Sequence, residues 1–435
     1  MPFGDFYMKS VSFLKINSIL FIISVLIIAA FGFVDIPKAK QGDVDAFAGY
    51  VDRTVSDHIR RNGKGAVAVG IIHEGKIFRI KGYGYQDAEQ KIPITDNTVF
   101  QVASISKSFT AWAVMDLVEQ GVLELDQPVT RYIPDWHFPP SNFDENEVTI
   151  RRMLSHSSGI ANVGGYAGVE KLEDLQTLEE SLASANDARG EAVRIVYRPG
   201  SQYVYSGGAY TLLQYVIEQT TGQSFETYMQ EKVLDPLKME NSRFVRDESV
   251  QKNMAVVYDN SGNPVPARYF AAQAAAGLYT TVDDLSRWAL AILSAYDDKI
   301  TNPVLNPETL KSMFEPQKDI KNPLPYGLGF MIQEIGPDKI LEVSHTGTNM
   351  PNWHSVVTTL PEKGEGLIVL TNTAGGRSLR QQLRSDWLIW AGGQDSFGNR
   401  LNRMLDIMIY VVPGFLIGVA IVLVRGWLRK KGKAV

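Results

Sequence analysis

Thr98-Val99-Phe100-Gln101-Val102-Ala103-Ser104-Ile105-Ser106-Lys107-Ser108-Phe109-Thr110-Ala111-Trp112-Ala113-Val114-Met115 decides the reading of this protein. An extended approach ends at Ala103 and a largely apolar helical pattern runs on from Ser106, so Ser104 falls at a helix start. Residues three apart on a helix share a face, which puts the Lys107 amine within reach of the Ser104 hydroxyl. Among apolar neighbours an ammonium loses hydration and its pKa falls toward the range where the neutral amine accepts a proton. The positive end of the helix favours negative charge on the serine oxygen. The same four residues in isolation would describe a capping serine and a solvated first-turn lysine. Ser-x-x-Lys also recurs at Ser12 and Lys15 and at Ser249 and Lys252, without that context.

Two later motifs complete the set. Tyr205-Ser206-Gly207 closes an aromatic stretch holding Tyr197, Tyr203, Tyr205 and Tyr210. A packed aromatic is the plain reading of any one of these, but a phenol beside cations ionises more easily and can pass protons. Tyr205 is placed for this by the Ser206-Gly207 that follows, with Tyr203 as the competitor. His345-Thr346-Gly347, followed by Thr348, reads as a substrate-holding turn, and His345 there brings a charge that titrates near neutrality.

The 435 residues, 45% hydrophobic and 21% charged, suffice for a large core. A net charge of -5 and the absence of a basic stripe exclude a general nucleic-acid binder. With no cysteine there is no disulfide framework, thiolate nucleophile or cysteine zinc site, and stability must come from packing. The six histidines have no common metal spacing and no glycine-rich phosphate loop is present, so no cofactor or metal is expected.

Residues 16–34 form an apolar run behind Lys9 and Lys15, and residues 407–424 a second one followed by Arg425, Arg429, Lys430, Lys431 and Lys433. The first reads as a signal peptide or signal anchor within residues 1–35, the second as a transmembrane helix with a basic cytoplasmic tail, 425–435. Basic residues flank the outer end of both, which by the positive-inside rule places the domain 36–400 outside the cytoplasm, held at the cell membrane.

Residues 66–73 and 76–80 around Glu74-Gly75 carry a hairpin signal, and residues 339–343, 353–359 and 366–371 supply three more strands before a helix over 377–390. Between these β-rich ends the pattern is helical over 106–120, 149–154, 172–185, 209–219, 225–234 and 282–295. A sheet made from both ends of the sequence with a helical insertion gives an α/β layer plus a helical lobe, and a cleft between the two suits an active site.

Together these motifs resemble the class C β-lactamase and penicillin-binding-protein-like serine hydrolase family over residues 51–391. Thr149-Ile150-Arg151-Arg152-Met153-Leu154-Ser155-His156-Ser157-Ser158-Gly159-Ile160 looks like its helix-and-turn signature, and Tyr203-Val204-Tyr205-Ser206, after Arg198-Pro199-Gly200, like its central strand. Residues 233–239 and 276–285 match two further blocks. The resemblance implies a β-lactamase-like (DD-peptidase-like) fold, an antiparallel sheet flanked by helices plus a helical lobe. It assigns Ser104 as acylated nucleophile, Lys107 as its base, Tyr205 as proton shuttle, and the backbone amides of Ser104 and Thr348 as the oxyanion hole. Two departures stand out. Gly207 occupies a position where the family often has an asparagine that holds the substrate carbonyl, and His345 one where true β-lactamases carry lysine. The expected activity is hydrolysis of D-aminoacyl peptides, peptidoglycan-derived ones among them, or of small esters, as a DD-carboxypeptidase, D-aminopeptidase or esterase. The rival readings are a working β-lactamase, an acyltransferase passing the acyl group to an amine or alcohol, and a non-catalytic cell-wall-binding sensor.

Overall fold

The computed structural model describes residues 35–164, 167–186, 190–317, 320, 325–395, 400–401 and 404–405. The two apolar segments expected to meet the membrane, 16–34 and 407–424, lie outside these. Among the described residues no helix is long and apolar enough to cross a membrane. There are two compact units, and the predicted site residues all fall in Lys38–Gly392.

The elements that position the site are, in order along the sequence, α1 (Val44–Asn62), β1 (Ala66–His73), β2 (Lys76–Asp87), β3 (Ile92–Pro93), α2 (Ser106–Glu119), α3 (Ile150–Leu154), α4 (Gly207–Thr221), α5 (Gln273–Ala276), α6 (Val282–Leu293), β4 (Met331–Ile335), β5 (Ile340–Asn349), β6 (Trp353–Leu360), β7 (Glu365–Thr371) and α7 (Gly376–Gly392). The strands form one sheet in the order β3-β2-β1-β7-β6-β5-β4, antiparallel throughout. Its centre joins the two ends of the unit, with Val67 opposite Thr371 and Ile72 opposite Gly366, as the sequence pattern predicts. The β1–β2 hairpin turns on Glu74 and Gly75, both at positive φ, the conformation that matches the strands' twist.

Alternation along β1 feeds two apolar layers. Val67, Val69 and Ile71 pack with Phe47, Val51 and Val55 of α1 and Leu383 and Trp387 of α7. Ala66 and Ala68 face the larger core, shared with Phe109, Trp112 and Trp288 of the helical part. From Ala66 to Gly70 that face of β1 is small, and at Gly70 α6 lies close on it: a Cβ there would sit 2.4 Å from Ser286 Oγ.

Three expectations are corrected. His345-Thr346-Gly347 is not a turn but lies inside the ten-residue strand β5, held by β6 through the pairs His345–Val357 and Gly347–Ser355. Residues 203–206 join no strand. The helix expected over 172–185 is a 3₁₀ turn, Leu172–Asp174, and a separate helix, Leu178–Ser184, started by the Thr177–Glu180 capping box. α1 has no counterpart among the expected elements.

Candidate active site

A strained turn delivers Ser104 to the start of α2. Ala103 has φ +49, a backbone conformation rare for a residue with a Cβ, and Ala103–Ile105 form a 3₁₀ turn running into the helix. The buried hydroxyl of Ser106 holds this bend, donating to the Ala103 carbonyl at 2.6 Å and accepting from the Leu278 N–H at 3.0 Å. Ser106 is thus engaged in holding the bend, while Ser104 is half-buried.

α2 is buried on all sides from Ser106 to Met115, so Lys107 has nowhere to send its ammonium but inward. Its Nζ donates to Ser104 Oγ at 3.2 Å and to the Ala275 carbonyl at 2.7 Å. Burial brings the lysine pKa down from 10.5 to about 7. The carbonyls of α5 serve this end of the site as a group: Ala274 accepts from Thr110, Ala275 from Lys107, and Ala276 from Gln101.

Half-buried Tyr205 stands across from the lysine, its ring centroid 5.1 Å from Lys107 Nζ, with Tyr210 at 5.7 Å. The competitor Tyr203 is not among the rings near the amine, and burial pushes its phenol up to about 12. Gly207 opens α4 under the Ser206 N-cap. Its N–H donates at 2.7 Å to Asn162 Oδ1, which brings a carboxamide from another loop against the start of α4.

β4 pairs with β5 only as far as Ser344, so His345 to Asn349 form the part of the strand whose outer edge β4 leaves uncovered. Gly347 lies against the nucleophile turn: a Cβ there would fall 2.0 Å from the Val102 carbonyl oxygen and 2.4 Å from Ser355 Oγ. Glycine is what lets the strand come this close to the residues leading into Ser104. Thr346 is half-buried and Thr348 exposed.

His345 departs from its expected behaviour. It is 2% exposed, Nδ1 donates to the Thr346 carbonyl at 2.9 Å, and Nε2 accepts from the Tyr326 hydroxyl at 3.0 Å. Burial first, then the charge of Lys107, pull its pKa to about 3, so it is neutral at every physiological pH rather than titrating near neutrality. The cation behind this edge is instead Arg380 of α7. It is buried and donates to the Gly347 carbonyl at 2.8 Å, the Ser355 carbonyl at 3.1 Å and Thr348 Oγ1 at 3.2 Å. Burial and the neighbouring Arg377 and Arg384 lower its pKa to about 10, which leaves it charged. Among the described residues no carboxylate is hydrogen-bonded to it.

The structure thus brings Ser104, Lys107 and Tyr205 together and sets Gly347 beside the turn before Ser104. It adds Tyr326, Arg380, Asn162 and His156, which the motifs did not assign to the site. Only His156 had a local signal, its place in the 149–160 signature. Among the described residues no group of three or more His, Asp or Glu side chains could hold a metal ion.

Comparison with known proteins agrees with this geometry. The Beta-lactamase family profile matches residues 51–389. Protein flp of Staphylococcus aureus (strain MW2) is 28% identical over 334 residues, covering 74% of this chain and 62% of that protein. The chain therefore spans less than two thirds of that relative's length. The mitochondrial serine beta-lactamase-like protein LACTB of Homo sapiens is 26% identical over 386 residues, covering 69% of this chain and 70% of LACTB. Among solved structures, the octameric penicillin-binding protein homologue from Pyrococcus abyssi superposes with a TM-score of 0.67 at 29% identity, covering 80% of this chain and 78% of that one. By its sheet, its helical lobe and the match over most of its length, the chain belongs to the Beta-lactamase family, the family of β-lactamase-like and penicillin-binding-protein-like serine hydrolases.

Proposed function

We propose that this protein is a membrane-anchored, extracytoplasmic serine hydrolase that works through an acyl-enzyme on Ser104. The observation that carries the reading is the contact of a fully buried lysine amine with the serine hydroxyl, 3.2 Å apart at the start of a helix. Neutral Lys107 accepts the Ser104 proton as Oγ bonds to the substrate carbonyl carbon. The tetrahedral oxyanion is received by the backbone amides of Ser104 and Thr348. As the bond to the leaving amine or alcohol breaks, that group takes up a proton relayed through Tyr205, and the ester on Ser104 remains. Water then attacks the ester with the proton path reversed, releasing the acid and restoring the serine.

The substrates proposed are D-aminoacyl peptides or small esters. The edge of β5 that β4 leaves unpaired suits a peptide backbone lying alongside it as a further strand. The charge of Arg380 behind Thr348 supports a substrate with a terminal carboxylate. Neutral His345 and Gly207 count against efficient penicillin turnover, since neither supplies the lysine or asparagine side chain of true β-lactamases. Anchoring rests on the apolar segments 16–34 and 407–424 and their basic flanks.

The test offers peptides ending in D-alanyl-D-alanine, p-nitrophenyl acetate and nitrocefin to the purified full-length protein. Release of D-alanine or p-nitrophenol that Ser104→Ala abolishes supports the proposal. Turnover of nitrocefin alone would make it a β-lactamase, and product that forms only with an added amine would make it an acyltransferase.

A further inference from the structure

His156 grips the backbone on both sides of Tyr205. Its main-chain carbonyl accepts the Val204 N–H at 2.7 Å, and its ring Nδ1 accepts the Ser206 N–H at 3.1 Å. The backbone N–H groups of the residues before and after Tyr205 therefore end on one residue, fifty positions from Ser206 in sequence. The ring is fully buried and lies 4.3 Å from the Tyr205 ring, 5.2 Å from Tyr210, 4.8 Å from Tyr326 and 5.8 Å from Tyr203. With Nδ1 accepting, the proton of the neutral imidazole is on Nε2, a buried atom with no hydrogen-bond partner among the described residues. His156 also has φ +56, a conformation that residues with a Cβ keep mainly where the surroundings require it. A histidine meant only to fill this space would need neither the strained backbone nor the acceptor.

We infer that His156 is a positioning residue for the acyl-transfer chemistry, an uncharged imidazole whose Nδ1 fixes Tyr205 within proton-transfer range of Lys107 and Ser104. The inference rests on the hydrolase reading given above. The titratable groups that face the ring are Tyr203 and Tyr205 on its own flank, Tyr210 on α4, Tyr326 ahead of β4, His345 on β5 and Lys107 on α2. Lys107 is the one cation among them near neutral pH, because burial holds His345 neutral. Burial first, then the charge of Lys107, likewise keeps the His156 pKa well below the usual imidazole value. A second cation is thereby kept away from the lysine that must lose its proton.

Two uncharged substitutions separate positioning from packing. His156→Asn puts an amide oxygen where Nδ1 accepts and tolerates the positive φ, whereas His156→Gln moves the amide to the Nε2 position and leaves the Ser206 N–H without its acceptor. Each is measured for thermal midpoint, for kcat and KM on p-nitrophenyl acetate from pH 5 to 9, and for the rate of Ser104 labelling by a fluorophosphonate. The expected result is a ~10²-fold loss of kcat in the Gln variant with KM within about threefold, and recovery in the Asn variant to within about fivefold of the parent. His156→Leu, which also lacks the acceptor, takes the place of the Gln variant if that one fails to fold. Equal losses in folded Asn and Gln variants, or no loss in either, would overturn the inference. Ser104→Ala alongside keeps the two ideas apart: Ser104-dependent labelling of the parent upholds the hydrolase reading whatever the His156 variants do. A parent that takes no label removes both.

Discussion

An ammonium buried as deeply as Lys107 costs folding free energy, about 1.4 kcal/mol for each unit by which its pKa is lowered, and the fold keeps it against the Ser104 hydroxyl. The folded value is about 7 against 10.5 when unfolded. Below pH 7 both states hold the proton and the penalty is complete; as pH rises toward 10.5 the unfolded state holds a proton the folded one has released, and the penalty fades. Lys107→Met should therefore raise the thermal midpoint most at or below pH 7, with a diminishing gain in alkaline buffer, while abolishing Ser104 acylation; melting curves at pH 6 and 9.5 check the first part. For activity the sign is the same. kcat/KM should climb through an apparent pKa near 7 as Lys107 becomes neutral, with no second step from His345, whose pKa lies near 3. Tyr205→Phe should cut kcat by about 10²–10⁴-fold with little change in melting temperature, the range expected for a lost proton-transfer group.

At the level of elements, the site is a meeting of one turn, one buried helix and one strand edge, and Gly347 sets their spacing. Gly347→Ala drives a Cβ into the Val102 carbonyl and Ser355. It should cost about 1–3 kcal/mol of stability, read by urea denaturation, and should lower acylation as β5 is pushed from the Ser104 turn. What the sequence disclosed at this scale follows range of interaction. The Ser104–Lys107 pair is separated by one helical turn, the β1–β2 hairpin by a two-residue loop, and both are legible because their spacing is local. Tyr326 and His345 are 19 residues apart, Arg380 and Gly347 33, Asn162 and Gly207 45, and His156 and Ser206 50; no local pattern pairs them. The reading of His345-Thr346-Gly347 as a turn failed for a related reason. Glycine there answers to a neighbour across space, while β6 keeps the backbone extended.

Over the whole molecule, the fold class was readable from the β-rich ends and helical middle, because a sheet assembled from both termini of a domain leaves that distribution in the sequence. Lys38–Gly392 forms a unit of its own, without cysteine, closed by α1 and α7 over one face of the sheet. Expressed alone it should fold cooperatively and label at the rate of the full-length protein; circular dichroism melts and labelling kinetics check this, and failure would mean that the flanking segments contribute to the domain. The central claim is that burial beside Ser104 turns Lys107 into the base of an acyl-transfer site, and intact mass of the full-length protein exposed to a fluorophosphonate between pH 5 and 9 tests it most directly. A buried base predicts a single adduct on Ser104, forming faster through pH 7 and absent in Ser104→Ala and Lys107→Met. An adduct that persists in either variant, or none in the parent at any pH, would contradict it.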